Sequence, residues 1–240
     1  MKKLERDWKE VLADYTVPLD KFHAKEMVKS KKHVPMLFDL AKAISEQRKV
    51  YPIAWGIVVN DFFSFSLPQR RFMTGAKLLT RSKKLVTSGC PEKPYFVPFQ
   101  NVIRTVTDNA PVGGKAHFFC GLDRTFSGYA TALFEQLEEG IRSGHNPWSR
   151  WKSRDRLGSM TFPLARETAQ LQAADLLVHL AYLHMCEWNL KGRVANPSGL
   201  LQMCLRNKMF SDQARYLDKQ SIQETLNVSH QNWGDWELAS

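Results

Sequence analysis

Acidic residues are the under-represented class in this chain of 240 residues, with 24 Asp and Glu against 34 Lys and Arg, a formal charge of +10 at pH 7. That balance favours polyanionic partners, either nucleic acid or an anionic surface. Cysteine is scarce as well. Cys90, Cys120, Cys186 and Cys204 stand far apart, without the close pairs of a structural zinc site or a secreted disulfide framework, so they read as reduced core thiols. No apolar run reaches the roughly 18 residues of a membrane span, and the opening Met1-Lys2-Lys3-Leu4-Glu5-Arg6-Asp7 lacks the apolar core of a signal peptide. The expectation is a cytoplasmic protein with no membrane partner. Walker loops, dinucleotide fingerprints and Ser-His-Asp hydrolase motifs are also missing.

What remains is an ordinary globular composition, 43% hydrophobic and 24% charged, long enough for one large domain or one domain with an appendage. Helical spacing of Leu4, Trp8, Val11, Leu12 and Tyr15 predicts a helix over 4–15, ended by Pro18, and a similar pattern predicts one over 35–47. Between them Phe22-His23-Ala24-Lys25-Glu26-Met27 lies in a polar, basic connection. Buried strands are expected over 50–59 and 116–123, with a third over 160–165. Helices are expected over 95–106 and over 127–139, the latter capped by Gly140. The strongest helix spans 169–191, between Thr168 and Gly192, and two weaker ones lie near 199–208 and 212–227.

Chemistry enters with Asp175, which sits in the apolar stretch Leu171-Gln172-Ala173-Ala174-Asp175-Leu176-Leu177-Val178. Burying an unpaired carboxylate costs several kcal/mol, so something must compensate it. Gln172 and His179, at helical spacing, share its side and are supporting candidates. Compensation by hydrogen bonds to Gln172, His179 or a backbone amide is one option; a divalent cation shared with a second carboxylate is the other. Asp123, at the end of the second expected strand, is the natural partner, although Asp also starts turns there. Two such oxygen ligands suit Mg²⁺ or Mn²⁺. Glu167 is a candidate third ligand, and Asp61, at the end of the first strand, a lesser one.

Two basic stretches suit a nucleic-acid substrate. Residues 65–93 read as a basic insertion carrying Arg70, Arg71, Lys77, Arg81, Lys83 and Lys84. In the loop over 142–156, Arg150, Trp151, Lys152 and Arg154 interleave cations with an aromatic face, the pattern that neutralises phosphates and stacks unpaired bases. Phe62, Phe63 and Phe65 read as core or interface residues.

Gly121-Leu122-Asp123-Arg124 before a helix carrying Tyr129, followed by Leu171-Gln172-Ala173-Ala174-Asp175-Leu176-Leu177, resembles domain-of-unknown-function family 3800, a bacterial and phage family with an RNase H-like fold. The Phe22-His23 element after a Trp-containing helix is similar to that family too, and the likeness covers about residues 5–190. It implies an α/β chain with an RNase H-like mixed sheet packed by helices over 1–192 and a helical extension over 193–240. It also implies a metal site with Asp123 and Asp175 as ligands and Mg²⁺ or Mn²⁺ as cofactor. Family members begin with a strand bearing Asp-Glu-Ser, whereas this sequence starts at the Trp helix, so the expected sheet is N-terminally incomplete. Two readings stay open. One is a metal-dependent nuclease in which Asp123, Asp175, Glu167 and His23 form the catalytic set and two cations assist phosphodiester hydrolysis. The other is a degenerate nucleic-acid-binding or assembly subunit, acting as a homo-oligomer or with a partner chain that completes the sheet.

Overall fold

The computed structural model describes residues 2–47, 52–74, 93–143, 153–164, 168–191, 197–204 and 214–233. Helix and strand are mixed, and the fold class is α/β. The helices are α1 (Lys2–Asp14), α2 (Ala24–Val28), α3 (Val34–Ser45), α4 (Val59–Phe63), α5 (Leu67–Met73), α6 (Phe96–Asp108), α7 (Ser127–Ser143), α8 (Ala169–Lys191), α9 (Pro197–Cys204) and α10 (Lys219–Trp233). The strands are β1 (Ala54–Ile57), β2 (Ala116–Phe119), β3 (Leu157–Thr161) and β4 (Ala214–Leu217). They form two small sheets, β1 with β4 and β2 with β3. The chain divides into two compact units, the first comprising Met1–Gly56 and Pro163–Arg215, the second Ile57–Phe162 and Tyr216–Ser240. No described helix is long and apolar enough to cross a membrane.

The first unit is helical around one apolar cluster. Leu4, Trp8 and Leu12 recur at four-residue spacing along α1, so one face is buried. Against it pack Met36, Leu37, Leu40 and Ile44 of α3, then Ala173, Leu176 and Leu180 of α8, and Leu200, Leu201 and Cys204 of α9. Burying each large side chain of this set contributes about 1.5–3 kcal/mol. Helix α3 starts with Pro35 in its first turn, where the missing N–H costs nothing. Helix α1 stops before Pro18 is reached. Thr16 turns left-handed with φ 55°, and Val17 N–H donates to Leu12 O at 2.9 Å while Thr16 N–H donates to Ala13 O at 2.9 Å, closing the last turn. Cys204 is fully buried, and burial pushes its thiol up to about 12. The described cysteines Cys120, Cys186 and Cys204 are free.

In the second unit β2 and β3 run parallel, with Ala116 opposite Leu157, Phe118 opposite Met160 and Phe119 opposite Thr161. Ala116 and Phe118 face a cluster of Phe96, Phe99, Ile103, Tyr129, Leu133 and Leu137 from α6 and α7. His117 and Phe119 face out. The expectation of a buried strand is therefore corrected to an alternating one, whose outer face is solvated. The strands approach closely at Gly158, where an added Cβ would lie 2.5 Å from Ala116 O.

Other boundaries also move. Gly140 does not cap a helix; α7 runs through it to Ser143. The third strand lies at 157–161 rather than 160–165. Within the stretch expected as a helix over 212–227, Ala214–Leu217 form strand β4, and helix begins only at Lys219. Asp218 marks that start, its carboxylate accepting the Ser221 N–H at 2.8 Å, which holds its pKa below the usual value. Of the expected basic insertion, 67–73 forms α5 and residues 75–92 lie outside the described residues. Phe62 and Phe65 are buried, as core residues should be, while Phe63 is exposed beneath the Arg70 guanidinium.

Two substitutions of opposite sign test these backbone constraints. Gly158→Ala should lower the urea midpoint by the equivalent of about 1–3 kcal/mol, the usual cost of overpacking. Thr16→Gly should raise it by roughly 1 kcal/mol, because the left-handed conformation penalises a side chain. Circular dichroism during urea titration reads both.

Candidate functional site around Asp175 and His23

The site grows from α8. Its first turn is secured by Thr168 O, which accepts the N–H of Leu171 at 3.0 Å and of Gln172 at 3.1 Å. The Thr168 hydroxyl turns away to Leu164 O instead of capping. One turn later Gln172 is 2% exposed, its Oε1 accepting Trp8 Nε1–H at 3.0 Å and its Nε2 donating to Leu19 O at 2.7 Å. Gln172 therefore anchors α1 and the following turn to α8.

Asp175 itself is not buried. Its side chain is 41% exposed, which corrects the expectation drawn from its apolar neighbours in sequence. Asp175 Oδ2 accepts the Ala24 N–H at 3.0 Å, the first amide of α2, and lies 3.5 Å from His23 Nδ1. Of the compensations open in the sequence, the backbone amide is the one observed, supplemented by an imidazole. No Lys or Arg pairs with Asp175 among the described residues. His23 is itself 65% exposed. It precedes α2 in extended conformation, with φ −145° and ψ 115°, and this turns the following N–H toward α8.

His179 follows Asp175 by one helical turn. Burial holds its pKa below the ordinary histidine value; the Asp175 charge opposes that shift, and His23, Lys25 and Lys29 reinforce it. The His179 ring stacks on Tyr182, with centroids 6.1 Å apart and planes at 28°. In the sequence the segment holding Lys25 and Lys29 reads as a basic connection, and its lysines carry no assigned role. From Lys21 to Lys32 the sequence offers five lysines, Lys21, Lys25, Lys29, Lys31 and Lys32, and a single acid, Glu26. All five are exposed, and Lys29 pairs with Glu26 at 2.9 Å. The density of lysine in that short stretch was the available signal.

Asp123 is placed differently and in the other unit. Strand β2 ends at Phe119, and Asp123 is an exposed turn former rather than an inward-facing residue at a strand end. Its Oδ1 accepts the Thr125 N–H at 2.7 Å and its carbonyl accepts Ser127 N–H at 2.8 Å, so it launches α7. Its charge, after burial and with Cys120, helps push the Tyr95 hydroxyl up to about 12. Asp61 instead makes a long-range link, its Oδ2 accepting the N–H of Lys219, the first residue of α10, at 2.9 Å. Glu167, Arg150, Trp151 and Lys152 lie outside the described residues; Arg154 contributes backbone to a single 3₁₀ turn over Arg154–Arg156.

Against a divalent cation the donor set is thin. Among the described residues no group of three or more His, Cys, Asp and Glu is arranged to hold a metal ion. At Asp175 one carboxylate oxygen is already committed to an amide. Comparison with protein-family models, with curated proteins and with solved structures gave no match to this chain.

The depressed His179 pKa fixes a pH dependence. The folded chain resists protonating this ring, so its contribution is fully present above the unfolded value of 6.5 and is lost as pH falls through the lower folded pKa. Between pH 7 and pH 5 the wild-type melting temperature should fall more than that of His179→Gln. Parallel melting curves across that range decide the point; equal slopes would contradict the assignment.

Proposed function

We propose that this chain binds nucleic acid, with the lysine-rich segment through α2 as its electrostatic footprint. The observation that carries this reading is the exposure of Lys21, Lys25, Lys31 and Lys32 together with Lys29, beside His23 and the solvent-reaching Asp175. Lysine ammoniums neutralise backbone phosphates and release condensed counterions, and this supplies most of the sequence-independent affinity of such proteins. The overall charge of +10 points the same way. The cations and aromatic ring of Arg150, Trp151, Lys152 and Arg154, expected from the sequence to contact nucleic acid, belong to the same proposal.

A second reading keeps the nuclease, with an RNase H-like arrangement, Mg²⁺ or Mn²⁺ as cofactor and Asp175 as a ligand. It is favoured by one observation: the Asp175 carboxylate is held by an amide and half open to solvent, next to an exposed imidazole. The parallel β2–β3 pair backed by helices is compatible with that arrangement. The described donors alone do not complete a site for the cation.

Fluorescence anisotropy with labelled oligonucleotides separates the two. Binding should weaken steeply with salt and persist in EDTA. Lys25→Glu combined with Lys32→Glu should weaken it and lower the salt slope by about one for each phosphate contact removed. If affinity is flat with salt, or unchanged in that double variant, the binding reading fails. In a parallel assay, cleavage of the same oligonucleotides that requires Mg²⁺ or Mn²⁺ and disappears in Asp175→Asn would select the nuclease.

A further inference from the structure

Helix α8 has an outer face of the wrong chemistry for plain solvent. A surface helix normally sets charged residues opposite its buried stripe, and the inner stripe here is conventional, with Leu176 and Leu180 fully buried. Yet Val178 is 60% exposed and Tyr182 53% exposed on the other side, joined by exposed Ala174. Exposed apolar residues that form a row usually mark a binding surface. The row also has an ordered edge. Tyr182 stacks on His179 with planes at 28°, and the residue stays 53% exposed.

Cations border this row. Helix α2 packs on α8, and the Ala24 N–H bond to Asp175 fixes the start of α2 at the level of that residue. Lys25 follows Ala24 directly and makes no ion pair among the described residues. From Asp175 to Tyr182 the helix rises about 10 Å, so the aromatic row and the lysines lie within reach of one short ligand.

We propose that the outer face of α8, centred on Tyr182, Val178 and His179, is a stacking surface for unpaired nucleobases, and that Lys25 and Lys29 hold the adjoining phosphates of a single strand. This inference rests on the nucleic-acid reading above and narrows it to single-stranded ligands. A duplex hides its base faces in its own stack and presents only phosphates outward. A single strand presents both, and base–aromatic stacking is tolerant of sequence. An apolar row flanked by lysines matches that ligand, since a purely apolar protein partner would gain nothing from the cations.

The test uses the full chain with labelled oligothymidylate, oligouridylate and a mixed-sequence duplex. Wild type should prefer the single strands. Tyr182→Ala should weaken single-strand binding about 5- to 150-fold, the range for losing one stacked base, and leave duplex binding within about 2-fold. Tyr182→Phe should restore single-strand binding, which separates stacking from any role of the hydroxyl. Val178→Asp, another exposed position, should also weaken single-strand binding by setting a carboxylate against the ligand phosphates. Equal binding of single strand and duplex, indifferent to Tyr182→Ala, overturns the stacking surface while leaving general nucleic-acid binding standing. No binding of either form overturns the underlying reading as well. A wild-type dimer that Tyr182→Ala converts to monomer, with oligonucleotide binding unchanged, assigns the row to self-association and also overturns the proposal.

Discussion

Two polar links from α8 hold the first unit in register. Gln172 reaches Trp8, 164 residues away in sequence, and the Leu19 carbonyl; Asp175 reaches the Ala24 amide. A buried amide side chain left without partners costs about 1–3 kcal/mol, so any sliding of α1 along α8 is penalised by more than lost apolar contact. Apolar packing alone would tolerate such sliding, because Leu4, Leu12 and their neighbours are interchangeable in shape to a degree that hydrogen bonds are not. With Trp8 and Leu19 fixed, the chain between α1 and α2 is fixed as well, and His23 can only arrive beside Asp175. The catalytic-looking pair is thus a consequence of the scaffold's register.

The same link explains the electrostatics of the surface. Asp175 accepts a backbone amide, is 41% exposed and pairs with no Lys or Arg among the described residues, so the lysines of α2 are not consumed in neutralising it. Lys29 is engaged by Glu26, an exposed pair of the kind worth little. The cationic segment therefore keeps most of its charge for a ligand. His179 feels cations and the Asp175 anion together, and burial, the largest influence, lowers its pKa.

Much of this architecture is legible in the sequence, and the failures have physical causes. Helix α8 is legible from end to end because Gly192 follows an unbroken stretch without helix breakers. Its Asp175 is misread for the same reason: when the solvent face carries Ala174, Val178 and Tyr182, periodicity cannot tell it from the core face, and a half-exposed carboxylate looks entombed. Strand β4 is hidden because Leu217, Ile222 and Leu226, all buried, fall near helical spacing, and four residues are too few to establish a period of two. Asp123 illustrates a further ambiguity. An aspartate after an apolar strand serves a turn or a metal equally well on paper, and only the Thr125 amide at 2.7 Å shows that a turn is using it here.

The neutrality of His179 also bears on what α8 can recognise. A protonated ring beside Tyr182 would add a charge to the apolar row and draw a hydration shell over it, and stacking would then compete with that water. Burial at this position lowers the His179 pKa and so disfavours that charge, and the ring lies against Tyr182 with planes at 28°. The α2 lysines supply the cations, while α8 supplies the apolar row with the Asp175 carboxylate at its edge. Such a division suits a ligand with one charged edge and one planar uncharged edge, and it requires no sequence-reading hydrogen bonds.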